Sequence, residues 1–240
     1  MEIKKVPITV ITVIFNAIET IESTILSILE QSSIDSIEYI VIDGGSTDGS
    51  LDIIEKYTDR IDLFISEKDN GIYHAMNKGI ILATGDYILF LNSGDEFFNE
   101  NALSEIIVHL SGCDVLYGKT AIKYKDSKTS IRDFYPQSRD WKVIPYCHQS
   151  VLIKRTVLVE TLFNTGYKIA ADYDQYFRLK NKNIKFATVT NIISVYDNEG
   201  YSALNYKEML REYMAISLLN HPGVFKKLQI FLYFSLKIYL

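Results

Sequence analysis

Residues 38–50 read Glu-Tyr-Ile-Val-Ile-Asp-Gly-Gly-Ser-Thr-Asp-Gly-Ser. An apolar run of the kind that forms a buried strand ends here in a turn of glycine, serine and aspartate. Leu51, Ile54 and Tyr57 then recur at helical spacing. The stretch therefore predicts a strand, a polar turn and a helix, which together make up half of a βαβ unit.

The same alternation extends to both sides of this stretch. Apolar runs predict strands at 8–15, 38–42, 61–65 and 87–91, and the intervening residues predict helices at 21–29, 51–57 and 73–82. Strands that alternate with helices form a parallel sheet with helices on its faces. The first 100 residues thus predict a doubly wound α/β half-sheet.

From residue 101 the pattern is mixed. It predicts a helix at 101–110, a hairpin of strands 114–124 and 129–135 around the turn Lys125-Asp126-Ser127-Lys128, strands at 150–154, 184–189 and 192–196, and a helix at 172–179. No linker separates this part from the first, so we expect it to extend the same sheet. Residues 206–240 predict two helices broken at His221-Pro222-Gly223.

Composition and charge exclude several classes of protein. With 48% hydrophobic and 23% charged residues, the 240-residue chain is too apolar to be disordered and long enough for one large domain. Five basic and two acidic residues follow Leu204, which gives the tail a charge of +3 and leaves −8 on the first 204 residues. An acidic body disfavours nucleic acid as a partner.

Two further features predict a cytoplasmic protein. Cys113 and Cys147 are the only cysteines, and without a CxxC pair they are expected to be reduced thiols. The apolar run at 6–15 follows Lys4 and Lys5 as in a signal peptide, but Pro7 and threonines interrupt it and no cleavage motif follows. We interpret this run as the first strand.

A polar or acidic cluster follows each of the four predicted parallel strands. The clusters are Phe15-Asn16, then 43–48, then 67–71, then Asn92-Ser93-Gly94-Asp95. The carboxyl ends of parallel strands meet at one edge of the sheet, where open α/β sheets bind ligands. Neither GxGxxG nor GxxxxGK[ST] occurs, so a dinucleotide fold and a P-loop are not supported. Carboxylates and amides suit a nucleotide diphosphate bridged by a divalent cation.

These clusters resemble the motifs of the GT-A glycosyltransferases of family 2. The similar segments are 41–50, 69–79 and 83–95, followed by Cys147-His148-Gln149-Ser150 and Ala171-Asp172-Tyr173-Asp174. The resemblance spans residues 6–200 and is greatest to small bacterial enzymes of exopolysaccharide, colanic-acid-type or O-antigen assembly. It implies a Rossmann-like, mixed but mainly parallel sheet flanked by helices, with residues 1–100 as nucleotide-binding half, 101–204 as acceptor half and 205–240 as helical extension.

The resemblance also implies roles for individual residues. Asp95 stands last in the place of the family's DxD motif, so it is the expected ligand of Mn²⁺ or Mg²⁺, with Asn92 a weaker oxygen ligand. His148 and Gln149 are expected on the acceptor side. The residues implied to bind the nucleotide sugar are Thr12, Phe15, Asn16, Asp43, Asp69, Gly71, Asn77, Lys78, Asn92, Ser93 and Gly94.

Several of these residues also have structural interpretations. An Asx turn would explain Asp43, and a polar strand-to-helix turn would explain 92–95. His74, where relatives carry Asp, is either a nucleotide contact or a solvent-exposed helical residue.

Asp172 is the candidate base, because an inverting transfer needs one carboxylate to accept the proton of the acceptor hydroxyl. The family usually carries Glu-Asp here, and Ala171 replaces the Glu. Asp172 could instead cap a helix, and Asp174 is the competing carboxylate.

The predicted function is transfer of a sugar from a UDP-linked donor to a hydroxyl of a polysaccharide or polyprenyl-linked acceptor. The basic, apolar tail at 224–240 predicts either peripheral contact with the inner face of the cytoplasmic membrane or packing against protein. Two rival functions stay open. One is a nucleotidyltransferase that makes nucleotide sugars, although residues 15–18 lack its Gly-rich basic loop; the other is a non-catalytic nucleotide-sugar or polysaccharide-binding subunit.

Overall fold

The computed structural model describes residues 8–125, 128–198 and 200–239. Its elements run in chain order as β1 Ile8–Ile14, α1 Ile21–Leu29, β2 Ile37–Asp43, α2 Ser50–Glu55, β3 Leu63–Ser66, α3 Ile72–Leu82, β4 Tyr87–Phe90, β5 Glu96–Phe97, α4 Ala102–Ile107, β6 Val115–Lys123, β7 Thr129–Arg132, β8 Val151–Lys154, α5 Arg155–Glu160, α6 Ala171–Asn181, β9 Phe186–Asp197, α7 Tyr201–Leu204, α8 Tyr206–Asn220 and α9 Val224–Tyr239.

One mixed sheet joins all the strands in the order β3-β2-β1-β4-β8-β6-β9-β5, and β7 pairs with β6 beside this path. Strands β1 to β4 are mutually parallel, whereas β8 runs antiparallel to both β4 and β6. The prediction of a mainly parallel half-sheet that the second half of the chain extends is confirmed.

Hydrophobic side chains cover both faces of the sheet. The central strand β1 is therefore buried along its whole length. Ile11 and Val13 point into a core shared with α3, α6, α8 and α9. Ile8, Val10 and Ile14 point into a second core shared with α1 and α4. Gly79 of α3 lies so close to β1 that an added Cβ would meet Ile11 Cγ2 at 2.8 Å.

Several predicted boundaries differ from the structure, and some elements were not predicted. Strands predicted at 184–189 and 192–196 form one strand, β9, which pairs parallel with β6 and has register shifts near Gly118. β1 ends at Ile14 because Asn16 adopts a left-handed backbone with φ 48°. β7 is shorter than predicted, and the helix α5 was not predicted. Part of the predicted turn at 125–128 lies outside the described residues.

The predicted break between two terminal helices is confirmed at 221–223, and both helices pack on the domain. Leu210, Tyr213 and Ile216 of α8 and Ile230 and Phe234 of α9 are buried in the core that also contains α3 and α6. Within residues 8–125, 128–198 and 200–239, no helix combines the length and apolarity that crossing a membrane requires.

Candidate active site

The turns after β1 and β2 are tied to each other at the carboxyl edge of the sheet. Asn16 Oδ1 accepts the Thr47 N–H at 2.9 Å, and the Asn16 N–H donates to Ser46 Oγ at 2.8 Å. Phe15, the residue before Asn16, is 64% exposed. An exposed aromatic ring therefore stands at the edge where the nucleotide was predicted, next to a loop held by Asn16.

Asp43 is fully buried and organises the turn that follows β2. Its carboxylate accepts from the N–H groups of Gly45 and Ser46, from the Ser46 hydroxyl at 2.5 Å and from the Ser66 hydroxyl at 2.6 Å. These bonds make an Asx-type turn and link β2 to β3. Asp43 thus fixes the conformation of the loop through the Asx turn that was its structural interpretation.

A charged network lies between β3 and the first turns of α3. Asp69 Oδ1 contacts His74 Nδ1 and Lys78 Nζ, both at 2.8 Å, and Lys78 Nζ also contacts Glu67 at 2.7 Å. Burial opposes the charge of Lys78, but these acidic partners outweigh it and raise the pKa of Lys78. Asp69 Oδ2 is buried and has no partner among the described residues. Gly71, with φ 109°, starts α3 beside this network.

The side chains of Thr12 and Asn77 make hydrogen bonds to other parts of the protein. The Thr12 hydroxyl donates to the carbonyl of Leu91 and accepts from the Tyr39 hydroxyl, and Thr12 is fully buried. The Asn77 amide makes two hydrogen bonds, of 2.9 and 2.8 Å, with the backbone of Phe163. Thr12 therefore ties strands together, and Asn77 holds α3 against the segment after α5.

The turn 92–95 after β4 carries the candidate cation ligands. Gly94 has φ 96°, Ser93 Oγ lies 2.9 Å from Thr20 Oγ1, and Asp95 is 5% exposed. Asp95 Oδ1 accepts from Gln149 Nε2 at 3.3 Å. Asn92 Oδ1 is buried without a hydrogen-bond partner in the part of the chain that the structure describes.

These oxygens fit a divalent cation whose remaining ligands come from the substrate. No group of three or more His, Cys, Asp and Glu side chains that could cage a metal occurs among the described residues. Mg²⁺ is typically held by one or two carboxylates, waters and substrate phosphates. One carboxylate, Asp95, and the orphaned Asn92 oxygen suit that mode of binding.

His148 and Gln149 follow as a short 3₁₀ turn before β8. The His148 ring stacks on Phe90 with centroids 5.1 Å apart, and burial lowers its pKa to about 4. Its Nε2 is buried with no partner in the described chain. His148 is therefore a neutral imidazole beside β4, and Gln149 links this turn to Asp95.

Asp172 lies in the first turn of α6, which begins at Ala171, so Asp172 is not the cap. Burial raises its pKa to about 6, with the Glu212 charge adding to the rise and the Tyr173 N–H and Arg132 opposing it. Its rival, Asp174, is in an ion pair of 2.8 Å with Arg178. Asp172 is therefore the carboxylate whose environment suits a base near neutral pH.

Several groups that the sequence analysis missed surround Asp172. The Asp172 charge acts on Tyr73, Tyr146, Tyr213 and Arg132, which come from four separate parts of the chain. Arg132, at the end of β7, also lies over the Tyr135 ring at 5.3 Å. No local motif marks these residues, because tertiary packing alone brings them to α6.

Cys147 connects the two candidate centres. Burial raises the pKa of its thiol, and the charges of Asp95 and Asp172 both act on it in the same direction. Asp95, Gln149, Cys147 and Asp172 thus form one neighbourhood. The network around Asp69 and the loop around Asp43 belong to the neighbouring part of the sheet edge, at β2 and β3.

Comparisons with known proteins place the chain among glycosyltransferases. An uncharacterized glycosyltransferase of Mycobacterium tuberculosis is 37% identical over 105 residues, which are 44% of this chain and 40% of the relative. The match thus spans less than half of that relative's length.

Two solved structures share the fold. TarS 1-349 of S. aureus, also solved with UDP-GlcNAc, superposes with a TM-score of 0.71 at 19% identity, over 97% of this chain and 72% of TarS 1-349. A mannosyltransferase of Pyrobaculum calidifontis in complex with GDP-Man and Mn²⁺ gives a TM-score of 0.68 at 18% identity, over 95% of this chain and 70% of its own.

The sequence profile described as glycosyl transferase family 2 matches residues 9–174, from β1 through the first turn of α6. The matched segment includes the four polar turns at the sheet edge, the 3₁₀ turn with His148 and the candidate base. The chain belongs to glycosyl transferase family 2.

Proposed function

We propose that the protein is an inverting glycosyltransferase that moves one sugar from a UDP-linked donor to a hydroxyl of an oligosaccharide acceptor. One observation supports this proposal most: the pKa of the buried Cys147 thiol is raised by burial and also by the charges of both Asp95 and Asp172. A candidate ligand for the diphosphate's cation and a candidate base therefore both act on one buried residue. Transfer needs both groups within reach of one anomeric carbon.

In the proposed reaction, the acceptor oxygen forms a bond to the anomeric carbon as the bond from that carbon to the diphosphate oxygen breaks. The electron pair of the broken bond leaves with the nucleoside diphosphate, and Asp172 takes the proton of the acceptor hydroxyl. One displacement from the opposite side inverts the anomeric configuration. A carboxyl with a pKa of about 6 is ionised at neutral pH and is a stronger base than an ordinary aspartate.

Asp95 and Asn92 would hold Mn²⁺ or Mg²⁺ against the donor diphosphate. A cation held there would neutralise the charge that develops on the departing diphosphate. Gln149 donates to Asp95 and would keep its carboxylate oriented. The mannosyltransferase solved with Mn²⁺ supports this cofactor, and TarS solved with UDP-GlcNAc supports UDP as the nucleotide.

The acceptor is proposed to be a growing, lipid-linked bacterial surface polysaccharide, with α9 resting on the cytoplasmic membrane. The exposed face of α9 carries Phe225 and Tyr239, which are 90% and 80% exposed, and Leu228, Leu232 and Leu236, each more than half exposed. No acidic residue follows Glu212, while Lys226, Lys227 and Lys237 do. An exposed apolar face on a helix that also carries lysines matches an anionic lipid surface.

A panel of nucleotide sugars incubated with the protein and Mn²⁺ tests the activity through release of nucleoside diphosphate. We expect release from a UDP-sugar, faster with acceptor, and its loss in Asp172→Asn with nucleotide-sugar binding retained. Near-normal turnover by Asp172→Asn would refute the assigned base. Chemistry that depends on pyrophosphate would identify a nucleotidyltransferase, and binding without turnover of any donor would identify a non-catalytic subunit.

A further inference from the structure

Glu212 of α8 is bound to the segment that leads into α6. Its Oε1 accepts the Lys168 N–H at 2.8 Å, and its Oε2 accepts the N–H groups of Ile169 and Ala170 at 3.0 and 2.8 Å. One carboxylate thus satisfies three successive backbone donors. Asp172 follows two residues after Ala170, so the bound segment ends where the candidate base begins.

The same part of α8 packs against the first turn of α6. The Tyr213 ring stacks on Tyr173 with centroids 4.2 Å apart and planes 21° apart. The Tyr73 hydroxyl of α3 donates to the Ile169 carbonyl at 2.6 Å, so a second helix also holds the segment. These contacts hold the backbone just before Asp172. Glu212 accepts the hydrogen bonds of three of its N–H groups, and Tyr73 donates to one of its carbonyls.

We propose that Glu212 is a positioning residue, which fixes the backbone at 168–170 so that the Asp172 carboxylate stays aimed at the acceptor hydroxyl. This inference rests on the proposed function, because it needs Asp172 to be the base. It gives α8 an indirect role in catalysis, through the position of Asp172. Charge-assisted bonds from three N–H groups to one carboxylate are stronger than neutral ones and suit a task of this kind.

Glu208 offers a matched control on the same helix, one turn before Glu212. Its carboxylate contacts the side chain of Lys168 at 3.3 Å, on the surface, and not the backbone of the segment. Replacing Glu208 removes a negative charge from the same helix and the same neighbour. It leaves the three backbone bonds in place, so it isolates what they contribute.

The experiment compares Glu212→Gln, Glu212→Ala and Glu208→Ala in steady-state assays with a UDP-sugar, acceptor and Mn²⁺. A glutamine keeps one oxygen acceptor where glutamate has two. Misplacement of a catalytic group by about 1 Å costs on the order of 100-fold in rate. We therefore expect kcat to fall about 10- to 100-fold for Glu212→Ala and less for Glu212→Gln, with KM for the UDP-sugar within about twofold. Glu208→Ala should match the wild type.

Three outcomes would overturn the inference: unchanged kcat in Glu212→Gln and Glu212→Ala, a change in KM alone, or an equal loss of kcat in Glu208→Ala. If Glu212→Ala does not fold, as judged by circular dichroism, Glu212→Gln still decides through its kcat. Asp172→Asn separates the two claims. Turnover in that variant refutes the proposed base, whereas an inactive Asp172→Asn with normal Glu212 variants refutes only the positioning role.

Discussion

At the scale of single residues, burial gives Asp172 its chemistry and also a cost in stability. The folded state holds its proton with a pKa of about 6, against 3.8 for an ordinary aspartate. Between these two pH values the folded state binds more protons than the unfolded state, so stability falls as pH rises. Above pH 6 the ionised group lowers the free energy of unfolding by on the order of 2–3 kcal/mol.

We therefore predict that Asp172→Asn abolishes transfer and yet raises the free energy of unfolding by about 1–3 kcal/mol at pH 8. The gain should shrink as pH falls through 6 and vanish below about 4, where both proteins are neutral at this site. Urea unfolding at pH 4, 6 and 8 measures it. A variant less stable than the wild type at pH 8 would contradict the assignment of a buried carboxylate with a raised pKa.

Arg132 is predicted to set the pH at which the base becomes active. Its positive charge opposes the effect of burial and lowers the pKa of Asp172. In Arg132→Met the acid limb of kcat/KM should therefore move above pH 6, because a higher pH is needed to ionise Asp172. The pH profile of kcat/KM measures the shift. Arg139→Met, at an exposed position, is the control and should leave the acid limb in place. An acid limb that does not move in Arg132→Met would contradict the prediction.

At the scale of elements, α9 has two apolar faces with different roles. Ile230, Phe234 and Ile238 are buried at intervals of four residues, so this face packs on the domain. The opposite face carries Phe225, Leu232 and other exposed apolar residues. A helix with a second apolar face in contact with water is unusual for a stable monomer, which favours a surface such as lipid.

We predict that this second face binds anionic vesicles. The doubly substituted protein Phe225→Ser, Leu232→Ser should cosediment less with vesicles that contain phosphatidylserine or phosphatidylglycerol than the wild type, because it loses about 3–5 kcal/mol of apolar burial. Its turnover of a soluble acceptor should not change. Val108→Ser, at an exposed position directly after α4, is the control. Equal sedimentation of both proteins would argue against a membrane face.

At the scale of the whole molecule, the two terminal helices complete one of the two hydrophobic cores. The core that includes α3 and α6 also contains Leu210, Tyr213, Ile216, Ile230, Phe234 and Ile238. Burying one such side chain contributes about 1.5–3 kcal/mol, and a domain's net stability is only about 5–15 kcal/mol. Losing the burial of these six side chains would therefore cost more free energy than the net stability of the fold.

A chain ending at residue 204 is accordingly predicted to be insoluble or to lack cooperative thermal unfolding. A chain ending at residue 223 keeps Leu210, Tyr213 and Ile216 and should be intermediate, with a lower melting temperature and stronger binding of a hydrophobic dye. Calorimetry and dye fluorescence measure both. A cooperative transition at the wild-type temperature in the 204-residue chain would show that the extension is not part of the core.

The sequence by itself determined most of the elements and the edge of the sheet at which polar residues gather. Period and turn chemistry are local properties, so the strands ending near Asp43 and Asp95 could be predicted from neighbouring residues. The rule that parallel strands share a carboxyl edge then brought those ends together. The single strand β9, predicted as two, shows the limit of local patterns, because its continuity comes from pairing with β6.

Only the tertiary structure decided what surrounds each site residue. Asp43 is enclosed by Ser46 and Ser66, Asn77 is bound to Phe163, and Glu212 binds the segment before Asp172 from 42 to 44 residues away. Contacts across such distances depend on how helices pack on the sheet, which no local pattern encodes. Burial, and therefore the pKa of Asp172, follows from that packing. The sequence thus predicted which residues could act, and the packing determined which of them are placed to do so.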